Sequence, residues 1–273
     1  MPQTPPLIAH LRQRLVVSPI SADTRSTLNL PLGMTRDQAT MEIEWGQADF
    51  DRPHGNLSAS DRVLLYAYWN QKRHVEELSE AFRQIFMDGW PDQPLIVIDL
   101  GCGPFTGGLA LAGQLPPNST FDYIGIDHSH AMRRLGERFA HEADAMDDLP
   151  KIDHQWSSSI TDIEWQTPPG WRPVLVVVSF LLASPSLDAE KMVGDLNECL
   201  RKLGRGETTL VYTNSPKPGP NRGFPDFQAS LGMVGFQKKV DDLGEVSTEH
   251  RQLKLRYALF YRAEQHTLRL GGS

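Results

Sequence analysis

Residues 96–111 read IVIDLGCGPFTGGLAL, and this stretch restricts the fold more than any other part of the chain. A β-rich apolar run meets an acid, then a cluster of glycines, then a helical pattern. That is a strand, a tight turn and a helix start. A helix start offers unpaired backbone N–H groups and the positive end of a dipole, so an anionic or electron-rich ligand belongs there. A dinucleotide loop would read GxGxxG. Here the glycines are Gly101, Gly103, Gly107 and Gly108, so the third falls one place late. Asp99 also sits where a pyrophosphate would be repelled and an ammonium group welcomed. No Gly-Lys-Ser/Thr follows, which excludes a Walker loop.

Strands and helices alternate around this loop. FDYIGID is a second strand and AMRRLGERFAHEA a helix; residues 152–157 are a weak third strand. PVLVVVSF is a continuous β-branched run of the kind buried on both faces of a parallel sheet. DAEKMVGDLNECLRKLG is a helix ended by Gly204, and TTLVYTN is the fifth strand. GFPDFQASLGM is a short helix, and VGFQKKV with KLRYALFY forms a final hairpin-like pair. The alternation predicts an α/β sheet with ligands at the strand C-terminal ends. Upstream, residues 58–89 predict one long leading helix, capped by Ser58 or Ser60 and ended by Gly89. Leu64, Val75, Leu78 and Phe82 mark its core stripe. Tyr66, Trp69 and Arg73 form a second line on it. Residues 1–57 are an irregular arm. They carry a short amphipathic helix at 7–17, a possible strand at Met41–Trp45, and little other pattern.

IDLGCGPFTGG, with YIGIDHSHAM and LGMVGF, resembles the motifs of class I S-adenosylmethionine-dependent methyltransferases. The resemblance spans roughly 91–262. It implies a seven-stranded, mostly parallel sheet flanked by helices, with an N-terminal helical and irregular extension, and S-adenosylmethionine as cofactor. Carried onto this chain, it places Gly101, Cys102 and Gly103 against the methionine portion and Asp99 toward its ammonium. Asp127 falls on the ribose hydroxyls and His128 and Met132 near the adenine. Ser159 or Ile160 takes the adenine amine, and Ser179 and Phe180 lie beneath the sulfonium. Cys102 also reads simply as a small loop residue. His128 and His130 are too few for a metal site, and no metal is expected.

The acceptor is narrowed by absences. SFLLASPS after the fourth strand lacks the Asn/Asp-Pro-Pro-aromatic motif of family members that methylate amino groups of nucleic acid or glutamine, and the Pro-Cys of cytosine C5 enzymes. A net charge of −7 disfavours a broad nucleic-acid footprint. A small-molecule or peptide-like acceptor is expected, with Tyr66, Trp69 and Arg73 in its pocket and Tyr66 or His74 as candidate base. Alternatives are a protein or RNA acceptor, or a non-catalytic binding subunit. Residues 1–57 are expected to form a lid over a domain, 58–273, that stands without them. Two cysteines, and an N-terminal apolar stretch broken by His10, Arg12 and Arg14, read as a cytoplasmic protein with no membrane span. The oligomeric state is not legible.

Overall fold

The computed structural model describes residues 4–87, 89–164, 171–204, 206–247 and 252–264. Its centre is a seven-stranded sheet of order β3-β2-β1-β4-β5-β7-β6. The strands are β1 Leu95–Leu100, β2 Thr120–Ile126, β3 Lys151–Ser157, β4 Val174–Ser179, β5 Thr208–Asn214, β6 Gln237–Ser247 and β7 Gln252–Arg262. The first five are parallel. β7 enters antiparallel between β5 and β6, with a bulge between Lys238 and Val240. β3, weak in sequence, pairs with β2 over its whole length.

Because successive strand residues face opposite ways, each strand feeds two cores. Val97, Leu175 and Val177 join one apolar cluster; Ile98, Val176 and Val178 join the other. The second cluster is covered by α8 (Ala189–Leu203) and α9 (Phe224–Met233). The first is covered by α4 (Ala59–Tyr66), α5 (Lys72–Ile85), α6 (Thr106–Ala112) and α7 (His130–Asp144).

The arm joins this first cluster. Ile8, Leu11, Leu15, Val16, Ile20, Leu32, Ala39, Ile43, Ala48, Phe50 and Leu57 are all buried in it. The front helix runs as α1 (Pro6–Arg12), a π-helical turn at Gln13–Val17, and α2 (Ser18–Ala22). The strand expected at Met41–Trp45 is absent. Those residues end α3 (Arg36–Glu42) and enter a turn. Thr35 and Gln38 close a capping box there, which fixes a helix start that outweighs the short alternation.

The leading helix is interrupted as well. Ser58 and Asp61 form the capping box of α4. A second π-helical turn, Ala67–Gln71, then joins α4 to α5, and α5 ends at Ile85, before Gly89. The inserted residue shifts everything after Tyr66 around the helix.

Candidate functional site

A cavity of about 320 Å³ opens at the C-terminal ends of β1, β2 and β4. Gly101 and Gly103 form one side, with φ of +69° and +51°. A side chain would strain both. At Gly101 a Cβ would also come 2.8 Å from Leu181 Cδ1. The backbone N–H groups of Gly101 and Cys102 donate to the Ile126 carbonyl, tying the loop to the end of β2. Phe105 also adopts a left-handed φ, +67°. Its buried ring holds that conformation by packing edge-on to Tyr123. The late glycines serve this packing. A Cβ on Gly108 would lie 1.9 Å from the Phe105 ring, and one on Gly107 2.4 Å from Asp99 Oδ2.

Asp127 ends β2 and lines the cavity. Its Oδ2 accepts from Gly103 N (3.0 Å) and its Oδ1 from Ser129 N (2.9 Å). A carboxylate has about four lone-pair sites, so two stay available to a ligand. Burial pushes its pKa up, against the pull of those two N–H groups. His128 and Met132 line the same side, and Ser179, Phe180 and Leu181 the floor. Ser179 Oγ accepts from Thr213 Oγ1 at 2.9 Å.

The third wall is Tyr66, Phe50 and the segment Gly46–Ala48. Phe50 meets Tyr66 edge-on at 5.6 Å between centroids. Tyr66 Oη lies 3.4 Å from His74 Nδ1, and the His74 ring stacks on Phe180 at 4.1 Å. Burial, with Arg73 nearby, pushes the His74 pKa down to about 3, so its ring is neutral. Burial and the charges of Asp127 and Asp99 push the Tyr66 phenol upward.

Arg62 pins the wall. It is buried, and its guanidinium donates to the carbonyls of Glu42, Asp49 and Arg52. Asp51 then caps α7. It accepts from Ser129 Oγ (3.0 Å), His130 N (2.9 Å) and Ala131 N (2.8 Å). A second tether runs from Arg12 to Gln71 Oε1 (3.1 Å), and from Gln71 Nε2 to the Pro104 carbonyl (2.7 Å). Arg12 also donates to the Ala67 carbonyl in the π-helical turn.

Several expected contacts are corrected. Asp99 does not reach the cavity. Strand alternation puts it on the face of Val97, where it accepts from Tyr123 Oη at 2.7 Å and from Gly107 N. There burial raises its pKa to about 7. Cys102 is buried in the first core, so only its backbone belongs to the loop. Ser159 Oγ caps its own turn through Thr161 N, and Ile160 packs into the second core. Neither lines the cavity. Trp69 and Arg73 are carried away by the π-helical turn. Trp69 packs against the first core beneath Arg36, and Arg73 Nε donates to Glu77 Oε1 at 2.7 Å. The wall residues Gly46, Gln47, Ala48 and Phe50 were expected only as unspecified parts of the covering arm 1–57, and Leu181, Ser184, Ser186 and Leu187 after β4 were not anticipated. No local pattern marks them, because distant carbonyl contacts to Arg62 place the first group. Among the described residues no three His, Cys, Asp or Glu side chains converge as a metal site, and no helix is long and apolar enough to cross a membrane.

No family model matches the chain, and no curated protein matches it. Solved structures similar to it include magnesium protoporphyrin IX methyltransferase (ChlM) from Synechocystis PCC 6803 with bound SAM. That match has 17% identity over 82% of this chain and 97% of that one, with a TM-score of 0.42. A SAM-dependent methyltransferase of Leishmania major is similar at 14% identity over 83% and 91%, with a TM-score of 0.48. The N-methyltransferase NodS from Bradyrhizobium japonicum WM9, in complex with S-adenosyl-l-homocysteine, is similar at 15% identity over 71% and 89%, with a TM-score of 0.44.

Proposed function

We propose that this chain is a cytoplasmic S-adenosylmethionine-dependent methyltransferase acting on a small-molecule or peptide-like acceptor. One observation carries the reading. A single cavity joins a glycine cradle, an acid at the end of β2 with lone pairs to spare, and an aromatic wall. Bound S-adenosylmethionine supplies an already activated methyl group, so the protein has to hold, align and shield. Gly101 and Gly103 admit the methionine portion. Asp127 accepts from the ribose hydroxyls, His128 and Met132 flank the adenine, and Ser179 and Phe180 lie beneath the reacting centre.

Tyr66 faces the acceptor side. With His74 neutral in its Nε2–H tautomer, the Tyr66 hydroxyl donates to Nδ1. Its oxygen then accepts a hydrogen bond from an acceptor N–H or O–H, which orients that group for attack on the methyl. Gly46–Phe50 complete the enclosure, which gives the arm its role as a wall against water. Among the described residues, none of Lys72, Arg73, Arg133 and Arg134 lines the cavity. Arg73 is paired with Glu77, Lys72 lies 3.9 Å from Glu76, and Arg133 donates to the carbonyls of Asp127 and His128. This disfavours RNA. Trp45, 78% exposed beside Gly46, favours a larger acceptor.

The test is transfer of labelled methyl from S-adenosylmethionine into fractionated lysate. Label in metabolites or peptides supports the reading. Label confined to protein or RNA overturns the acceptor class, and no label in any fraction overturns methyl transfer.

A further inference from the structure

Away from this site, a second cavity of about 450 Å³ lies between the front helix, α4 and α7. Its floor is apolar, made by Leu15, Val63, Leu64 and Leu135. Arg134 and Arg138 stand over it, four residues apart on one face of α7, and both are exposed. Among the described residues neither has a hydrogen-bond or ion-pair partner. Like charges at this spacing repel each other. In a chain of net charge −7, two adjacent uncompensated guanidiniums beside an apolar hole are unusual company. Asp51, at the cavity edge, does not neutralise them, because its carboxylate is turned to the start of α7 and engaged by three donors.

We propose that this cavity binds a carboxylate-headed amphiphile, its apolar body on the floor and its carboxylate between Arg134 and Arg138. The planar guanidinium fork matches a carboxylate in a bidentate manner, which a lysine pair would not. The apolar floor supplies the remaining affinity by taking the body out of water. A cavity of this size suits a small ligand. An occupant would also brace the arm against α7, whose first turn follows Asp127 and His128. The site does not depend on the methyltransferase reading and is tested without S-adenosylmethionine.

The experiment is calorimetric titration of the full chain with decanoate, kept below its micelle-forming concentration. Decanol and decyltrimethylammonium serve as the uncharged and cationic comparisons. Decanoate is expected to bind at one site, at least tenfold more tightly than either. The double variant Arg134→Gln/Arg138→Gln should bind decanoate no better than the wild type binds decanol. Both positions are exposed and unpaired, so its melting temperature should match the wild type. Equal binding of decanoate and decanol, unchanged binding by the double variant, or no decanoate binding would each overturn the proposal. So would capture by phosphatidylglycerol vesicles without binding of monomeric decanoate, which would make the arginines a membrane contact.

Discussion

Asp99 and Asp127 end neighbouring strands, yet they do different work. Asp127 faces the cavity, and its spare lone pairs make it the proposed ribose acceptor. Asp127→Ala should weaken S-adenosylhomocysteine binding by about 1–3 kcal/mol, because two charge-assisted hydrogen bonds go. Asp127→Asn should lose less, since the amide oxygen still accepts one. Calorimetry with unchanged affinity for the alanine variant would move the ribose contact elsewhere. Asp99 lies behind the loop with its pKa raised to about 7. Between the unfolded carboxylate pKa near 4 and that value, the folded state holds a proton that the unfolded state has lost. Stability therefore falls as pH rises through this window. His74, depressed to about 3, acts in the opposite direction, its contribution being lost as pH falls below about 6.5. The Asp99 effect must then be read as a difference. Relative to Asp99→Asn, the wild type should lose a few kcal/mol between about pH 4 and pH 7. Parallel denaturation curves for the two proteins across that range would refute the raised pKa.

At the scale of elements, α6 and the π-helical turn explain most of what the spacing of residues did not foretell. The paired glycines of α6 pack Phe105 and Asp99 and do not touch the cavity. Gly108→Ala should cost about 1–3 kcal/mol through overpacking against the Phe105 ring, read as a lower denaturation midpoint with an unchanged slope. A loss below a few tenths would mean that the ring moves freely. The strands were legible because buried parallel strands leave a continuous β-branched run, as in β4. The position of the Gly101–Gly103 turn was legible because its left-handed backbone favours glycine, and that of Asp127 because it directly follows β2. Trp69 and Arg73 were misplaced because a regular helix was assumed. The insertion at Ala67–Gln71 aligns Tyr66 with His74 instead. The side on which Asp99 lies follows from alternation with Val97, a constraint present in the sequence but overridden by the motif.

For the whole molecule, the arm and the sheet share one core. Burying a single leucine or isoleucine is worth about 1.5–3 kcal/mol, against a total stability of about 5–15 kcal/mol. Removal of residues 1–57 strips eleven buried apolar side chains from the first cluster. The truncated chain is therefore expected not to fold, in contrast to a detachable lid. Cooperative thermal unfolding of residues 58–273 would show that the boundary is real. The narrower change Arg62→Met keeps the apolar stem and frees the carbonyls of Glu42, Asp49 and Arg52. It should speed proteolysis within 42–52 and lower turnover per folded molecule, and unchanged cleavage there would remove Arg62 as the anchor. The central claim, that the cavity above β1 and β2 holds S-adenosylmethionine, meets its most direct test in calorimetric titration with S-adenosylhomocysteine, with NAD in a parallel run. The account predicts saturable one-to-one binding of S-adenosylhomocysteine and no heat of binding from NAD; binding of NAD with none of S-adenosylhomocysteine would contradict it.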